Sequence, residues 1–226
     1  FMRMTQIKEE LQVAGEFGFL TWPTLAKELI NNIPGGLTSA TKSEKVRQQV
    51  KEIFKNTKIE IEITDDIIGV EYASVLKNIM AIFFGALSNN ICSESLHAYF
   101  LVKGINEEKR ILCLLGGKEE TMNTFAGLGD FLLTCTSEKS RNFRYGKALF
   151  NKNLNTIDET VEGKEALISL LQYLESKNEK SVFPKDLDQF LKGNISLSVM
   201  ADDLRSDLLW VFILNPLKSL FLFSLF

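Results

Sequence analysis

Ile59-Glu60-Ile61-Glu62-Ile63-Thr64-Asp65-Asp66 stands a few residues ahead of Val75-Leu76-Lys77-Asn78-Ile79-Met80-Ala81-Ile82-Phe83-Phe84, and the change of pattern between them decides the fold. Ile59, Ile61 and Ile63 alternate with Glu60 and Glu62, the period of a half-buried strand. The second segment is almost wholly apolar around the pair Lys77-Asn78, as a buried helix is. Upstream of the join, Met4 to Val13 reads as a charged helix, Phe17 to Leu20 as a short buried strand, and Ala26 to Asn31 as a helix opened by Pro23. Pro34-Gly35-Gly36 is a break, and Leu37 to Ala40 reads as a further strand. Ser43 to Asn56 reads as a helix, with Val46, Val50, Ile53 and Phe54 at helical spacing. Strand, helix, strand, helix, strand is the order of an α/β sheet. From Val70 to about residue 205 the segments are helical. The expected division is a sheet domain over residues 1–68, a helical domain over 69–205, and an apolar tail over 206–226.

Composition narrows the function classes. The chain has 226 residues, 45% hydrophobic and 24% charged, with a formal net charge of -3. That is ordinary globular composition, and it offers no electrostatic footprint for nucleic acid. Cys92, Cys113 and Cys135 form no CxxC pair and His97 is the sole histidine, so no metal site is expected. An odd cysteine count with no signal peptide suits a reducing cytoplasm, with the three cysteines as small buried hydrophobes. The tail from Leu208 to Phe226 approaches the length of a bilayer span, but Asn215, Pro216 and Lys218 interrupt it, so a membrane anchor is disfavoured.

Three segments carry chemistry. Lys77 lies within an apolar helix, with the small residues Ala73, Ser74 and Ala81 one turn away on the same face. A buried ammonium must be paired or lower its pKa, which suits a general acid or base; a lysine reaching the surface is the bland alternative. Gly127-Leu128-Gly129-Asp130 permits close backbone approach, and Asp130 reads either as the cap of a helix over Phe131–Thr134 or as a partner for a hydroxyl or a lysine. Ser140-Arg141-Asn142, with Arg144 near, offers a planar donor fork and two neutral donors that suit a phosphate at a helix start, or else a solvated basic turn. Val161-Glu162-Gly163 is a short acidic turn with little meaning alone.

Taken in order, these segments resemble the bacterial type of NAD(P)-dependent glycerol-3-phosphate dehydrogenase. The matching stretches are Pro23-Thr24-Leu25-Ala26-Lys27-Glu28, Leu76-Lys77-Asn78, Thr124-Phe125-Ala126-Gly127-Leu128-Gly129-Asp130, Thr134-Cys135-Thr136-Ser137, Ser140-Arg141-Asn142 and Val161-Glu162-Gly163. The resemblance implies part of a Rossmann-like dinucleotide-binding domain followed by an all-α substrate domain like the C-terminal domain of 6-phosphogluconate dehydrogenase. It implies an oxidoreductase that interconverts dihydroxyacetone phosphate and sn-glycerol 3-phosphate by hydride transfer with NAD or NADP, feeding glycerophospholipid synthesis. By the same resemblance Lys77 is the proton donor or acceptor. Thr24, Lys77, Asp130, Ser140, Arg141 and Asn142 surround the substrate, and Ala26, Arg141 and Glu162 meet the dinucleotide. The expected partner is the small-molecule substrate, with a homodimer left open.

Two departures qualify the resemblance. Trp22 stands where the family carries glycine before the proline, and an indole there would crowd the pocket. No G-x-G-x-x-G loop follows a first strand, so the chain reads as the C-terminal two-thirds of such an enzyme, unable alone to bind NAD(P) usefully. The alternatives are a non-catalytic fragment, or a related dehydrogenase acting on a 2-hydroxy acid or a sugar.

Overall fold

The computed structural model describes residues 3–12, 14–21, 23, 28, 30–88, 94–150, 161–179 and 182–199. Thr24, Ala26, Trp22, Cys92 and the 206–226 tail lie outside the described residues. A first helix, α1 (Met4–Glu10), is shorter than the expected stretch to Val13, and the chain turns at Gln12 with a φ of 51°. Its Thr5 is anchored to the buried Glu71, whose carboxylate accepts from the Thr5 amide at 2.8 Å and from its hydroxyl at 2.6 Å.

Three strands form one sheet in the order β1 (Phe19–Thr21), β2 (Gly35–Ala40), β3 (Ile59–Thr64). β1 runs antiparallel to β2, and β3 runs parallel to it, with Leu37 opposite Ile61 and Ala40 opposite Thr64. Parallel neighbours need a crossover, supplied by α2 (Glu44–Phe54), whose N-cap Ser43 accepts from the Val46 amide at 3.1 Å. β2, in the middle, is buried, while β3 is half-buried as its alternation predicts. The strand expected over Phe17–Leu20 is shifted to Phe19–Thr21 and is not buried. As an edge strand it leaves Leu20 40% exposed. On α2, Val50 packs inward, but Ile53 turns outward and is exposed.

Two residues past β3 the long helix α3 (Ile67–Leu87) begins, capped by Asp66, which accepts from the Gly69 amide at 3.0 Å. The same carboxylate takes the Lys118 amide at 2.7 Å and the Thr121 hydroxyl at 2.5 Å. α3 is apolar over most of its surface because most of it is covered. α4 (Glu94–Leu114), α5 (Asp130–Thr136), α6 (Arg141–Phe150) and α7 (Glu162–Ser176) pack around it, and α8 (Val182–Leu191) packs on α7. Among the described residues α3 is the one helix long and apolar enough to cross a membrane, and 67% of that stretch is buried within the protein.

α3 and α6 touch backbone to backbone. A Cβ added to Gly146 would lie 1.9 Å from the Ile82 carbonyl oxygen, so no other residue fits that crossing. At the centre Phe83 meets Phe84, Phe100 and Phe183 edge to face, with ring centroids 5.3, 6.2 and 5.3 Å apart. Cys135 joins this core. Cys113 does not: it sits near the end of α4 on the outward face and is exposed, against the expectation of burial.

Candidate active site

The segment from Thr124 to Thr136 places the first acid. Thr124 accepts the Gly127 amide at 3.2 Å, and Phe125–Gly129 winds as one turn of π-helix straight into α5. Such turns are rare and concentrate at functional sites. The turn is fastened to the sheet. The Phe125 amide donates to Glu62 at 2.7 Å and the Ala126 amide to Thr38 Oγ1 at 2.9 Å. Gly127 is required by proximity, since a Cβ there would lie 2.4 Å from the Thr121 carbonyl oxygen; neither it nor Gly129 has a positive φ.

Of the two readings of Asp130, the cap is not the one the structure makes. The helix is already under way at that residue, and Thr124 does the capping one turn earlier. Released from that task, the Asp130 carboxylate takes the Lys77 ammonium on Oδ2 and the Thr134 hydroxyl on Oδ1 at 3.3 Å. Asp130 is 2% exposed. Burial pushes its carboxyl above the usual carboxylate range, with the Lys77 charge pulling the other way. The Lys77 side chain is 18% exposed, so it neither lies sealed in the core nor reaches freely into water.

Lys77 and Asp130 form one wall of a cleft of about 410 Å³. Ser140, Arg141, Asn142 and Glu162 line the same cleft, and Leu20 and Thr21 close it from the sheet. Ser140 caps α6, accepting the Phe143 amide at 3.3 Å. Arg141, at the first position of α6, reaches across to Glu162 at the start of α7, both about half exposed. Asn142 is buried and fixes the cleft wall, donating to Asn78 Oδ1 at 3.0 Å and accepting the Gly163 amide at 2.9 Å.

Six of the eight residues singled out from the sequence thus converge: Lys77, Asp130, Ser140, Arg141, Asn142 and Glu162. The other two, Thr24 and Ala26, fall outside the described residues. Asn78, Thr134 and Lys139 line the cleft as well and had been given no role. Their signals were present: Asn78 adjoins Lys77, and Thr134 sits one helical turn beyond Asp130 on the same face.

The molecule combines a small mixed sheet with a helical domain, and its deep cleft lies chiefly among the helices. The chain belongs to the NAD-dependent glycerol-3-phosphate dehydrogenase family, whose C-terminal model matches residues 66–202. It is 30% identical over 187 residues to the glycerol-3-phosphate dehydrogenase [NAD(P)+] of Cereibacter sphaeroides, covering 83% of this chain and 61% of that relative. It is 33% identical over 165 residues to the enzyme of the same name from Francisella tularensis, covering 71% and 50% respectively. The crystal structure of glycerol-3-phosphate dehydrogenase from Coxiella burnetii superposes with a TM-score of 0.77 at 25% identity, over 88% of this chain and 63% of that one. The Saccharomyces cerevisiae enzyme shares the fold, with a TM-score of 0.76 at 18% identity over 89% of this chain and 62% of that one. The expected fold class holds: part of a Rossmann-like sheet domain, then an all-α domain. The chain spans between half and about three-fifths of the length of the curated relatives it matches.

Proposed function

We propose that the chain carries the substrate-binding part of an oxidoreductase that interconverts dihydroxyacetone phosphate and sn-glycerol 3-phosphate with NAD or NADP. The observation that carries this reading is the sharing of one cleft by the Lys77–Asp130 pair and the Ser140–Asn142 helix start, in a chain of this family. Residues 1–68 would belong to the dinucleotide domain and 69–205 to the substrate domain, in a cytoplasmic enzyme.

The residues suit the substrate end. Reducing the ketone leaves a developing alkoxide that needs a proton. Lys77 would deliver it from Nζ to the oxygen on the reacting carbon, and Asp130 would hold the ammonium in line. In the reverse direction Lys77 would take the same proton back. Ser140 and Arg141 at the start of α6 would bind the phosphate, where a planar fork, a hydroxyl and the helix dipole favour an anion. Arg141 would exchange its present carboxylate partner, Glu162, for the phosphate. Holding the phosphate away from the reacting carbon orients the ketone through binding energy spent at a distance.

The dinucleotide is served less well. None of the described helices follows a strand through a glycine-rich loop, so the described residues include no pyrophosphate cradle. When bound, the nicotinamide supplies or accepts the hydride. Arg141 and Glu162 at the cleft mouth, together with Ala26, are the residues we assign to it, and Thr24 is assigned to substrate.

The test is NADH oxidation with dihydroxyacetone phosphate by a form extended with a complete dinucleotide domain. Turnover that falls at least about 100-fold in Lys77→Ala, the usual worth of a general acid, is the expected result. Full activity in that variant would refute the role of Lys77, and no activity in the extended form would favour a non-catalytic fragment.

A further inference from the structure

The helical core encloses a second carboxyl, to which no step has been assigned above. Glu108 is 0% exposed, and neither of its oxygens has a hydrogen-bond partner among the described residues. It occurs in the charged run Glu107-Glu108-Lys109-Arg110, whose other members pair elsewhere: Arg110 with Glu107, and Lys109 with Glu119. Glu108 alone turns inward, because Leu96, Phe100, Gly104, Glu108 and Leu112 recur every fourth residue and form the buried stripe of α4. Gly104, one turn earlier, lies against the rings of Phe84 and Phe131, which places the stripe against α3 and α5. The titratable groups that face Glu108 are Lys77 from α3 and Asp130 and Cys135 from α5. Cys135 is itself fully buried, and its thiol points at the Lys77 carbonyl oxygen at 3.7 Å. The acidic residues of the 3₁₀ turn that follows α4, Glu119 and Glu120, are exposed.

An unpaired carboxylate in such surroundings is costly and a neutral acid is not. Burial accordingly pushes Glu108 well above the usual carboxylate range, the Asp130 charge adds to the rise, and the Lys77 charge opposes it. Loss of the Glu108 proton would put a second anion beside Lys77.

We propose that Glu108 is a positioning residue for proton transfer at Lys77. As a neutral acid it leaves Asp130 as the lone carboxylate acting on the ammonium, and once ionised it ties the proton to Lys77. This rests on the role given to Lys77 above. An ammonium beside one carboxylate releases its proton more readily than an ammonium beside two.

The experiment is a 13C NMR titration of glutamate carboxyl and lysine Cε signals in the 226-residue chain, in the wild type, Glu108→Gln and Glu108→Met. One glutamate carboxyl is expected to titrate far above the rest and to be missing from both variants. The Lys77 Cε signal is expected to move as that glutamate ionises in the wild type and to show no such step in either variant, because the anion formed there is gone. Glu108→Met supplies a neutral apolar side chain of similar length should the amide of Glu108→Gln not be accommodated. A Glu108 signal among the surface glutamates, or a wild-type Lys77 signal without that step, overturns the proposal. No substrate enters this measurement, so an enzyme inactive on dihydroxyacetone phosphate would refute the proposed function without altering the outcome here.

Discussion

The helical region and the sheet of this chain are built to different standards. Around α3 the buried side chains form one continuous core from Tyr72 to Leu197, with Phe83 wholly enclosed. Between the sheet and the helices the second core cluster has three residues, Ala40, Val70 and Ala126. Leu20, Ile33 and Ile53, all from the sheet half, remain exposed. The cleft follows this division. Lys77, Asp130, Arg141 and Glu162 stand on α3, α5, α6 and α7, and Leu20 and Thr21 of the sheet contribute a wall. Rigid side chains need a packed support, and among the described residues the larger core is in the helical region.

The comparison breaks most readily at its centre. Phe83→Ala removes a fully buried ring with three aromatic neighbours, and is expected to cost about 3–5 kcal/mol in urea denaturation. A cost below about 1 kcal/mol would mean that the core around α3 is not what holds the helices together. The join is weaker, because it is held by a few polar contacts. Thr38→Val removes the acceptor of the Ala126 amide and the 3.2 Å hydrogen bond to Glu62. Leaving a buried amide unpaired is expected to cost about 1–3 kcal/mol and to speed hydrogen exchange at Ala126 ahead of the α3 amides. Unchanged exchange at Ala126 would show that the π-helical turn does not depend on the sheet.

The sequence made the same contrast only partly legible. Ile59-Glu60-Ile61-Glu62-Ile63 announces β3, because a strand with one wet face writes its period into the residues. The long apolar run of α3 likewise announces burial over most of its surface. The convergence of Lys77, Asp130 and the α6 start is visible in the order of motifs, but local spacing does not decide between a cap and a lysine partner for Asp130. Capping is a local rule, whereas the Lys77 contact spans 53 residues of sequence. The π-helical turn was hidden because it depends on Glu62 and Thr38 taking its amides, again across long separations. Glu108 was hidden differently: a run of four charged residues looks solvated, and only the every-fourth-residue stripe through Phe100, Gly104 and Leu112 marks it as inward. Cys113 erred the other way, a residue type that favours burial but stands on the outer face of α4.

Lys77, Ser140, Arg141 and Asn142 are proposed to form one site for a small phosphorylated ligand. The most direct measurement is a 15N NMR titration of the 226-residue chain with glycerol 3-phosphate, repeated with Arg141→Ala. Saturable shifts confined to the amides of residues 77–78, 130–134 and 140–142, lost or strongly weakened in the variant, are the predicted result. Shifts spread over unrelated surface lysines, or a response in Arg141→Ala equal to that of the wild type, would contradict it.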